Sequence, residues 1–201
     1  MIKDALIVVD MQNDFMDGSP LGVPKAKSII NKIANRIDEY LNNGKLIIAT
    51  RDWHPINHIC FARSKDELFQ EIEINGVRHI MWPIHCVQNT VGADIVPLLI
   101  DKPWSKIINK GLLPNVDSFS AFLDNDKIHE TGLNNYLQSK EVKTLEIVGV
   151  ATDYCVSSTI SDAINFGYKV TTNINLIAGL SSELSKQKLN ELKEKGLEIV
   201  W

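Results

Sequence analysis

Short apolar runs alternate with amphipathic stretches along most of the chain. Runs of strand length cover residues 5–9, 45–49, 106–108, 144–148, 168–172 and 198–201. Apolar residues at helical spacing fill residues 26–41, 131–139, 156–166 and 183–195. Gly44 and Gly167 stand where two of these helices would end. Alternation of this kind predicts an α/β fold, with a parallel sheet covered by helices on both faces.

Residues 53–104 depart from this pattern. They are rich in Pro, His and Trp, and their periodicity is short or ambiguous. Long irregular regions in compact domains are usually functional, so we expect this region to contribute to a site.

Composition limits the kind of protein. The chain has 201 residues, of which 44% are hydrophobic and 23% charged, which is enough to bury one core. We predict a single domain over residues 1–201. The 21 basic and 25 acidic residues give a net charge of −4, without a basic cluster. Nucleic acid and anionic membrane are therefore not expected as partners, whereas a small neutral substrate is compatible.

The cysteines bear on the cellular compartment. There are three, Cys60, Cys86 and Cys155, so at least one has no disulfide partner. Residues 1–10 lack the apolar stretch of a signal peptide. We therefore predict a cytoplasmic protein, in which a thiolate persists.

Reactive side chains follow four of the predicted strands. Asp10 follows the first, Asp52 and His54 the second, Lys110 the third, and Cys155 the fourth. Each has an ordinary explanation by itself, as a turn residue, a cap, a solvated lysine or a small buried hydrophobe. Ligands of such sheets bind at the carboxyl ends of the strands, so we expect these residues to share one edge.

Cys155 is the candidate nucleophile. It follows a small-residue turn and stands in what we predict to be the first turn of a helix. A helix start offers free backbone N–H groups and a positive dipole end, which lower the pKa of a thiol and stabilise an oxyanion.

Asp52, His54 and His85 are candidate metal ligands. Asp52 and His54 are two residues apart, so both side chains point to the same side of an extended segment. A carboxylate with two imidazoles is an open site for zinc, iron or manganese. The spacing does not name the metal, and hydrogen-bonded loop histidines are the alternative. His58 is a further candidate.

Six motifs contain most of the candidate residues. They are DMQNDF at 10–15, TRDWHPINH at 50–58, MWPIHCVQNTVGA at 81–93, NKG at 109–111, VDSFSAF at 116–122 and GVATDYCV at 149–156. Together, and in this order, they closely resemble the nicotinamidases of the isochorismatase-like cysteine hydrolases. The resemblance implies a six-stranded parallel sheet in a three-layer, Rossmann-like fold. It also implies hydrolysis of nicotinamide to nicotinate and ammonia, with pyrazinamide as a second substrate, in NAD salvage.

The resemblance assigns roles to individual residues. Asp10, Lys110 and Cys155 match the catalytic triad, and Asp52, His54 and His85 match the ligands of a divalent metal, for which we expect zinc, with iron and manganese as alternatives. The role of His58 varies within the family and stays open here.

The remaining matches concern the substrate. Phe15, Trp82 and Phe119 match aromatic residues around the pyridine ring, although relatives often have tyrosine at the position of Phe119. Val150-Ala151 matches a cis peptide bond, and the backbone N–H groups of Ala151 and Cys155 match an oxyanion hole.

Two other functions fit parts of the pattern. A metal-independent isochorismatase or another amide hydrolase of this fold would leave Asp52, His54 and His85 unexplained. A non-enzymatic protein on the same scaffold is expected to lack one of Asp10, Lys110 or Cys155, and all three are present. A homo-oligomer is compatible with the sequence.

Overall fold

A parallel β-sheet forms the centre of the molecule in a computed structural model that describes residues 2–74 and 76–201. In chain order the elements are β1 (Ala5–Val9), α1 (Ala26–Asn42), β2 (Leu46–Asp52), β3 (Glu71–Ile74), β4 (Val77–Ile80), α2 (Pro97–Ile100), β5 (Lys106–Lys110), α3 (Leu133–Ser139), β6 (Thr144–Val150), α4 (Ser157–Asn165), β7 (Lys169–Asn173), β8 (Ile177–Ala178), α5 (Ser182–Glu194) and β9 (Glu198–Val200).

The sheet has the strand order β5-β2-β1-β6-β7-β9, and all of these strands are parallel. The short β8 adds to it by pairing with the end of β6. The predicted six-stranded parallel sheet is therefore confirmed, with one two-residue strand in addition.

Helices cover both faces of the sheet, as predicted. From β1 the chain moves towards one edge of the sheet, through β2. From β6 it moves towards the other edge, through β7 to β9. Because parallel crossovers are right-handed, α1 lies on one face while α4 and α5 lie on the opposite face. The direction reverses between β1 and β6, so a crevice opens at the carboxyl ends of these two strands.

The burial of α1 follows from its sequence. Ile29, Ile33 and Ile37 recur every four residues and form a buried stripe against the sheet. The Asp17 carboxylate accepts hydrogen bonds from the N–H groups of Lys25 and Lys27, which satisfies donors at the helix start. The helix ends just before Gly44, which has a positive φ of 63°.

Residues 53–104 contain more regular structure than the sequence indicated. Strands β3 and β4 form an antiparallel hairpin, and α2 is one turn that begins at Pro97. The hairpin strands are four residues each and only partly buried, so their alternation is too short to separate them from loop.

The turn that carries Cys155 differs from the prediction. Thr152–Val156 form a π-helical turn, and α4 begins only at Ser157. Cys155 therefore precedes the α-helix instead of standing in its first turn. The Val150-Ala151 peptide bond is cis, as the resemblance implied. Within the described ranges, the helices are too short or too polar to cross a membrane.

Candidate active site

The structure brings the four strand-end side chains together. Asp52 and Lys110 are neighbours in the register of β2 and β5, and Asp10 follows β1 in the adjacent position. Cys155 arrives from the turn after β6, on the other side of β1. All four residues are buried.

Lys110 is the centre of this cluster. Its Nζ lies 2.9 Å from Asp10 Oδ2, forms an ion pair with Asp52 Oδ1, and is 3.4 Å from Cys155 Sγ. It also donates to the Ser118 carbonyl at 3.0 Å. A buried ammonium needs such partners, and here one cation contacts every acidic group of the cluster.

The Asp10 carboxylate is fixed from its other side. Thr50 Oγ1 lies 2.5 Å from Asp10 Oδ1 and accepts a hydrogen bond from the Asp10 N–H at 3.1 Å. Asp10 has a φ of 49°, so the chain leaves the direction of β1 at this residue. The carboxylate therefore faces Lys110 and Cys155 from a defined position.

Asp10 and Cys155 compete for one proton. Burial raises the pKa of Asp10, Lys110 opposes this, and Asp52 adds to it. Burial also raises the pKa of the Cys155 thiol well above its ordinary value; Lys110 again opposes this, and the two carboxylates add to it. The sequence-based prediction of a lowered thiol pKa therefore does not hold. Cys155 rests as a thiol beside a carboxylate that accepts protons more readily than usual.

Lys110 and Asp52 keep their charges. Burial alone would lower the pKa of Lys110, but Asp10 and Asp52 raise it well above its usual range. Burial alone would raise the pKa of Asp52, but Lys110 and then His54 lower it. An ammonium and one carboxylate are therefore permanent features of the cluster.

Asp52, His54 and His85 form a cluster of donor atoms beside Lys110. Asp52 Oδ2 lies 3.7 Å from His54 Nε2 and 3.9 Å from His85 Nε2. Two donors that each lie about 2.1 Å from one ion are at most about 4.2 Å apart, so these distances suit a shared ion. Asp52 thus faces Lys110 with one oxygen and the histidines with the other.

In His54 and His85 the Nδ1 atom is hydrogen-bonded to the main chain, which leaves the Nε2 atom available as a ligand. His54 Nδ1 donates to the Gly111 carbonyl at 3.0 Å, and His85 Nδ1 donates to the Pro83 carbonyl at 2.7 Å. Because a carbonyl only accepts, both Nδ1 atoms carry hydrogen, and each imidazole in its neutral form offers a lone pair at Nε2. A β-carbon at Gly111 would collide with the His54 ring, so glycine is required there.

His58 lies next to this cluster but is engaged elsewhere. Its Nε2 donates to the Val116 carbonyl at 3.1 Å, and its Nδ1 accepts from the Cys60 N–H at 3.3 Å. Neither nitrogen is left with a lone pair for an ion. These hydrogen bonds favour the interpretation that His58 lies beside the three candidate ligands and does not bind the ion itself.

A partly enclosed cavity opens beside Cys155. The predicted aromatic residues Phe15, Trp82 and Phe119 all line it, together with Ala151, Cys155 and both Asp52 and His85. The Phe15 and His85 rings are 5.6 Å apart, and the Trp82 and Phe119 rings 6.4 Å. The cavity wall is therefore largely aromatic, and Cys155 and the Asp52–His85 pair add polar groups to it.

The whole chain carries one family signature. The isochorismatase domain profile matches residues 4–200. The chain belongs to the isochorismatase family.

Several individual proteins are similar to this chain in sequence and in structure. The nicotinamidase of Escherichia coli is 44% identical over 168 residues, which are 83% of this chain and 78% of that protein. The structure of an Acinetobacter nicotinamidase/pyrazinamidase has a TM-score of 0.92 and 34% identity, covering 100% of this chain and 97% of that one. The Pyrococcus horikoshii pyrazinamidase, solved in complex with zinc, has a TM-score of 0.83 and 39% identity, covering 99% of each chain.

Several cavity residues of this isochorismatase-family chain were missed from the sequence. They are Leu21, Val23, Asp117, Tyr154 and Leu180. Tyr154 packs edge-on against Trp82 at 5.0 Å, and Asp117 Oδ2 is buried without a hydrogen-bond partner. Tyr154 stands next to Cys155, and Asp117 lies two residues before Phe119. Their proximity to these candidate site residues was the sequence signal that could have identified them.

Proposed function

We propose that this protein is a nicotinamidase, which hydrolyses nicotinamide to nicotinate and ammonia and also accepts pyrazinamide. The observation that carries the proposal is the buried contact of Lys110 with Asp10, Asp52 and Cys155 at the wall of a cavity that also presents the Asp52–His85 donor atoms. The similarity to the Escherichia coli and Acinetobacter proteins supports it.

Cys155 is the nucleophile and Asp10 the base. Burial raises the pKa of both groups, so a protonated thiol lies close to a carboxylate that accepts a proton more readily than usual, while Lys110 stabilises negative charge on either one. As Cys155 Sγ attacks the carboxamide carbon, its proton passes to Asp10. The backbone N–H groups of Ala151 and Cys155 form the oxyanion hole for the tetrahedral intermediate.

Asp10 then returns the proton to the nitrogen, because an amide anion is a very poor leaving group. The C–N bond breaks, ammonia leaves, and a thioester on Cys155 remains. Asp10 next takes a proton from water, which attacks the thioester carbonyl. The C–S bond then breaks, Asp10 returns its proton to the Cys155 sulfur, and nicotinate is released, so each turnover consumes one water.

Asp52, His54 and His85 hold a divalent metal, for which zinc is the first candidate and iron and manganese are alternatives. The spacing of the three donor atoms and the hydrogen bonds of both Nδ1 atoms support this. When bound, the ion supplies a Lewis-acid position for the ring nitrogen of the substrate. Asp52 and His85 line the cavity, so an ion at this place would fix which edge of the ring faces inward.

Phe15, Trp82 and Phe119 enclose the ring. Phe119 lacks the hydroxyl of a tyrosine, so its contribution is contact with the ring faces alone. Orientation therefore depends on the polar groups at the two ends of the cavity.

The cellular setting is part of the proposal. Residues 1–201 act as one hydrolase domain in the cytoplasm and contribute to NAD salvage. Cys60, Cys86 and Cys155 are all free thiols in the structure, which suits a reducing compartment.

The decisive experiment is ammonia release by the purified protein. Nicotinamide and pyrazinamide should be hydrolysed, whereas benzamide, which lacks the ring nitrogen, should fall at least about 100-fold in kcat/KM, or roughly 3 kcal/mol. Picolinamide should also be poor, because its nitrogen lies beside the carboxamide. Equal rates on benzamide and nicotinamide would remove the role of the metal in holding substrate. A metal-independent isochorismatase would turn over a vinyl-ether acid instead of nicotinamide.

The metal is tested separately. The native protein should carry about one divalent ion per chain by elemental analysis, and His54→Ala should lose it together with activity. A chelator should inactivate the native protein, and added zinc should restore it. Full activity in metal-free protein would contradict the assignment.

A further inference from the structure

Gln12 is fully buried at the edge of the active site, yet the proposed reaction gives it no part. It stands two residues after Asp10, where the chain has turned away from β1. A buried amide needs partners for both its oxygen and its nitrogen, so its contacts show what it holds.

Gln12 binds the main chain of Asp52 through both ends of its amide. Oε1 accepts from the Asp52 N–H at 2.8 Å, and Nε2 donates to the Asp52 carbonyl at 2.8 Å. Nε2 also donates to the Ala93 carbonyl at 2.8 Å. Only one orientation of the amide satisfies all three bonds, since carbonyls cannot accept from Oε1.

These bonds replace a strand that has ended. The pairing of β1 with β2 stops at Val8 and Ala49, but β2 continues to Asp52. The Trp53 N–H donates to the Lys110 carbonyl on the β5 side. The N–H and C=O of Asp52 therefore point to the β1 side, where no strand remains. The Gln12 amide, which has the same donor and acceptor as a peptide, completes the ladder at this residue.

The residue held in this way has two tasks. Asp52 forms an ion pair with Lys110 through one oxygen and faces His54 and His85 with the other. A small shift of its backbone would change both contacts. We propose that Gln12 is a positioning residue that fixes Asp52 for metal binding. The inference rests on the proposed metal-dependent function.

The test compares zinc affinity in metal-stripped proteins by competition with a chromophoric chelator. Gln12→Met keeps the length of the side chain without its polar atoms, and Gln12→Glu keeps the shape but sets a carboxylate against two carbonyls. Both should bind zinc about 10- to 100-fold more weakly than the native protein, the usual effect of losing an outer partner of a ligand.

A matched control separates positioning from stability. Thr172 is also fully buried and donates to a backbone carbonyl, that of Ile147, at 2.7 Å. Thr172→Val should lower the unfolding midpoint but leave zinc affinity equal to that of the native protein. Native affinity in both Gln12 variants would overturn the proposal.

A measurement on the native protein covers variants that fail to fold. The Asp52 amide should exchange with solvent as slowly as the amides inside β2, because Gln12 holds it. Exchange at the rate of an open loop would overturn the proposal. A native protein that binds zinc but leaves nicotinamide intact would instead contradict the proposed function and leave this inference standing.

Discussion

Two buried ionic clusters lie on the same sheet, and they differ in how their charges balance. In the first, Glu146 of β6 accepts from Arg36 Nε at 3.1 and 3.0 Å, from Arg36 Nη2 at 2.6 Å and from the Tyr40 hydroxyl at 2.8 Å. One buried carboxylate thus meets one guanidinium, which also pairs with the exposed Glu39 at the surface. In the second, the single ammonium of Lys110 faces Asp10, Asp52 and the Cys155 thiol.

The difference explains why one cluster is structural and the other reactive. Burial alone would lower the pKa of Arg36, but Glu146 raises it, and burial and Glu146 both raise the pKa of Tyr40. Every proton of that cluster is therefore held in place. Around Lys110, two carboxylates and a thiol face a single ammonium. Asp10 and Cys155 therefore share one proton. Balanced charge orders the fold, whereas the excess acid supplies a movable proton.

Cys155→Ala should have the largest effect. Removing the sulfur prevents the thioester, so turnover should fall by at least about 10⁴-fold while fold and metal content are retained. Ammonia release and elemental analysis measure this. Cys60→Ala and Cys86→Ala are the controls and should be far milder, since Cys155 lines the cavity and contacts Lys110, whereas Cys60 and Cys86 are not among the cavity-lining residues. Near-native turnover in Cys155→Ala would end the covalent mechanism.

Arg36→Met should affect stability and not chemistry. It leaves the Glu146 carboxylate buried without its cation, which should lower the free energy of unfolding by about 3 kcal/mol. Urea unfolding gives the stability, and kcat on nicotinamide should stay unchanged.

The exposed Lys188–Glu191 pair supplies the control for Arg36→Met. Lys188→Met should change stability by no more than about 0.5 kcal/mol. A loss of kcat in Arg36→Met without a loss of stability would show that the two clusters are not independent.

Tyr40→Phe should have the smallest effect. The lost hydrogen bond to a carboxylate should lower the free energy of unfolding by about 1.5 kcal/mol at neutral pH. Because the folded state raises the pKa of Tyr40, its contribution is complete below about pH 10 and is lost as the pH rises further.

Urea unfolding at a series of pH values from neutral to alkaline measures this contribution. The native protein should lose stability more steeply on the alkaline side than Tyr40→Phe does. Parallel curves would mean that Tyr40 does not titrate differently on folding. Tyr154 and Tyr168 also have raised pKa values, but they are common to both proteins and cancel in the comparison.

Local sequence was enough for residues whose position follows from a strand end. Asp10, Asp52 and Lys110 each close an apolar run, and parallel strands place such ends together. It failed for Cys155, which lies in a π-helical turn before the α-helix and whose thiol pKa is raised by burial. It also failed for Gln12, because its partners on Asp52 and Ala93 are 40 and 81 residues away.

The sequence by itself determined the α/β class, the parallel sheet and the side chains at its carboxyl edge, because strand and helix periodicity are local properties. Tertiary structure alone decided the protonation of Cys155, the hydrogen bonds that engage His58, the cavity walls at Tyr154 and Leu180, and the clamp of Gln12 on Asp52. These depend on burial and on distances between segments that are remote in the chain. Only the folded packing of several strands and loops sets those quantities.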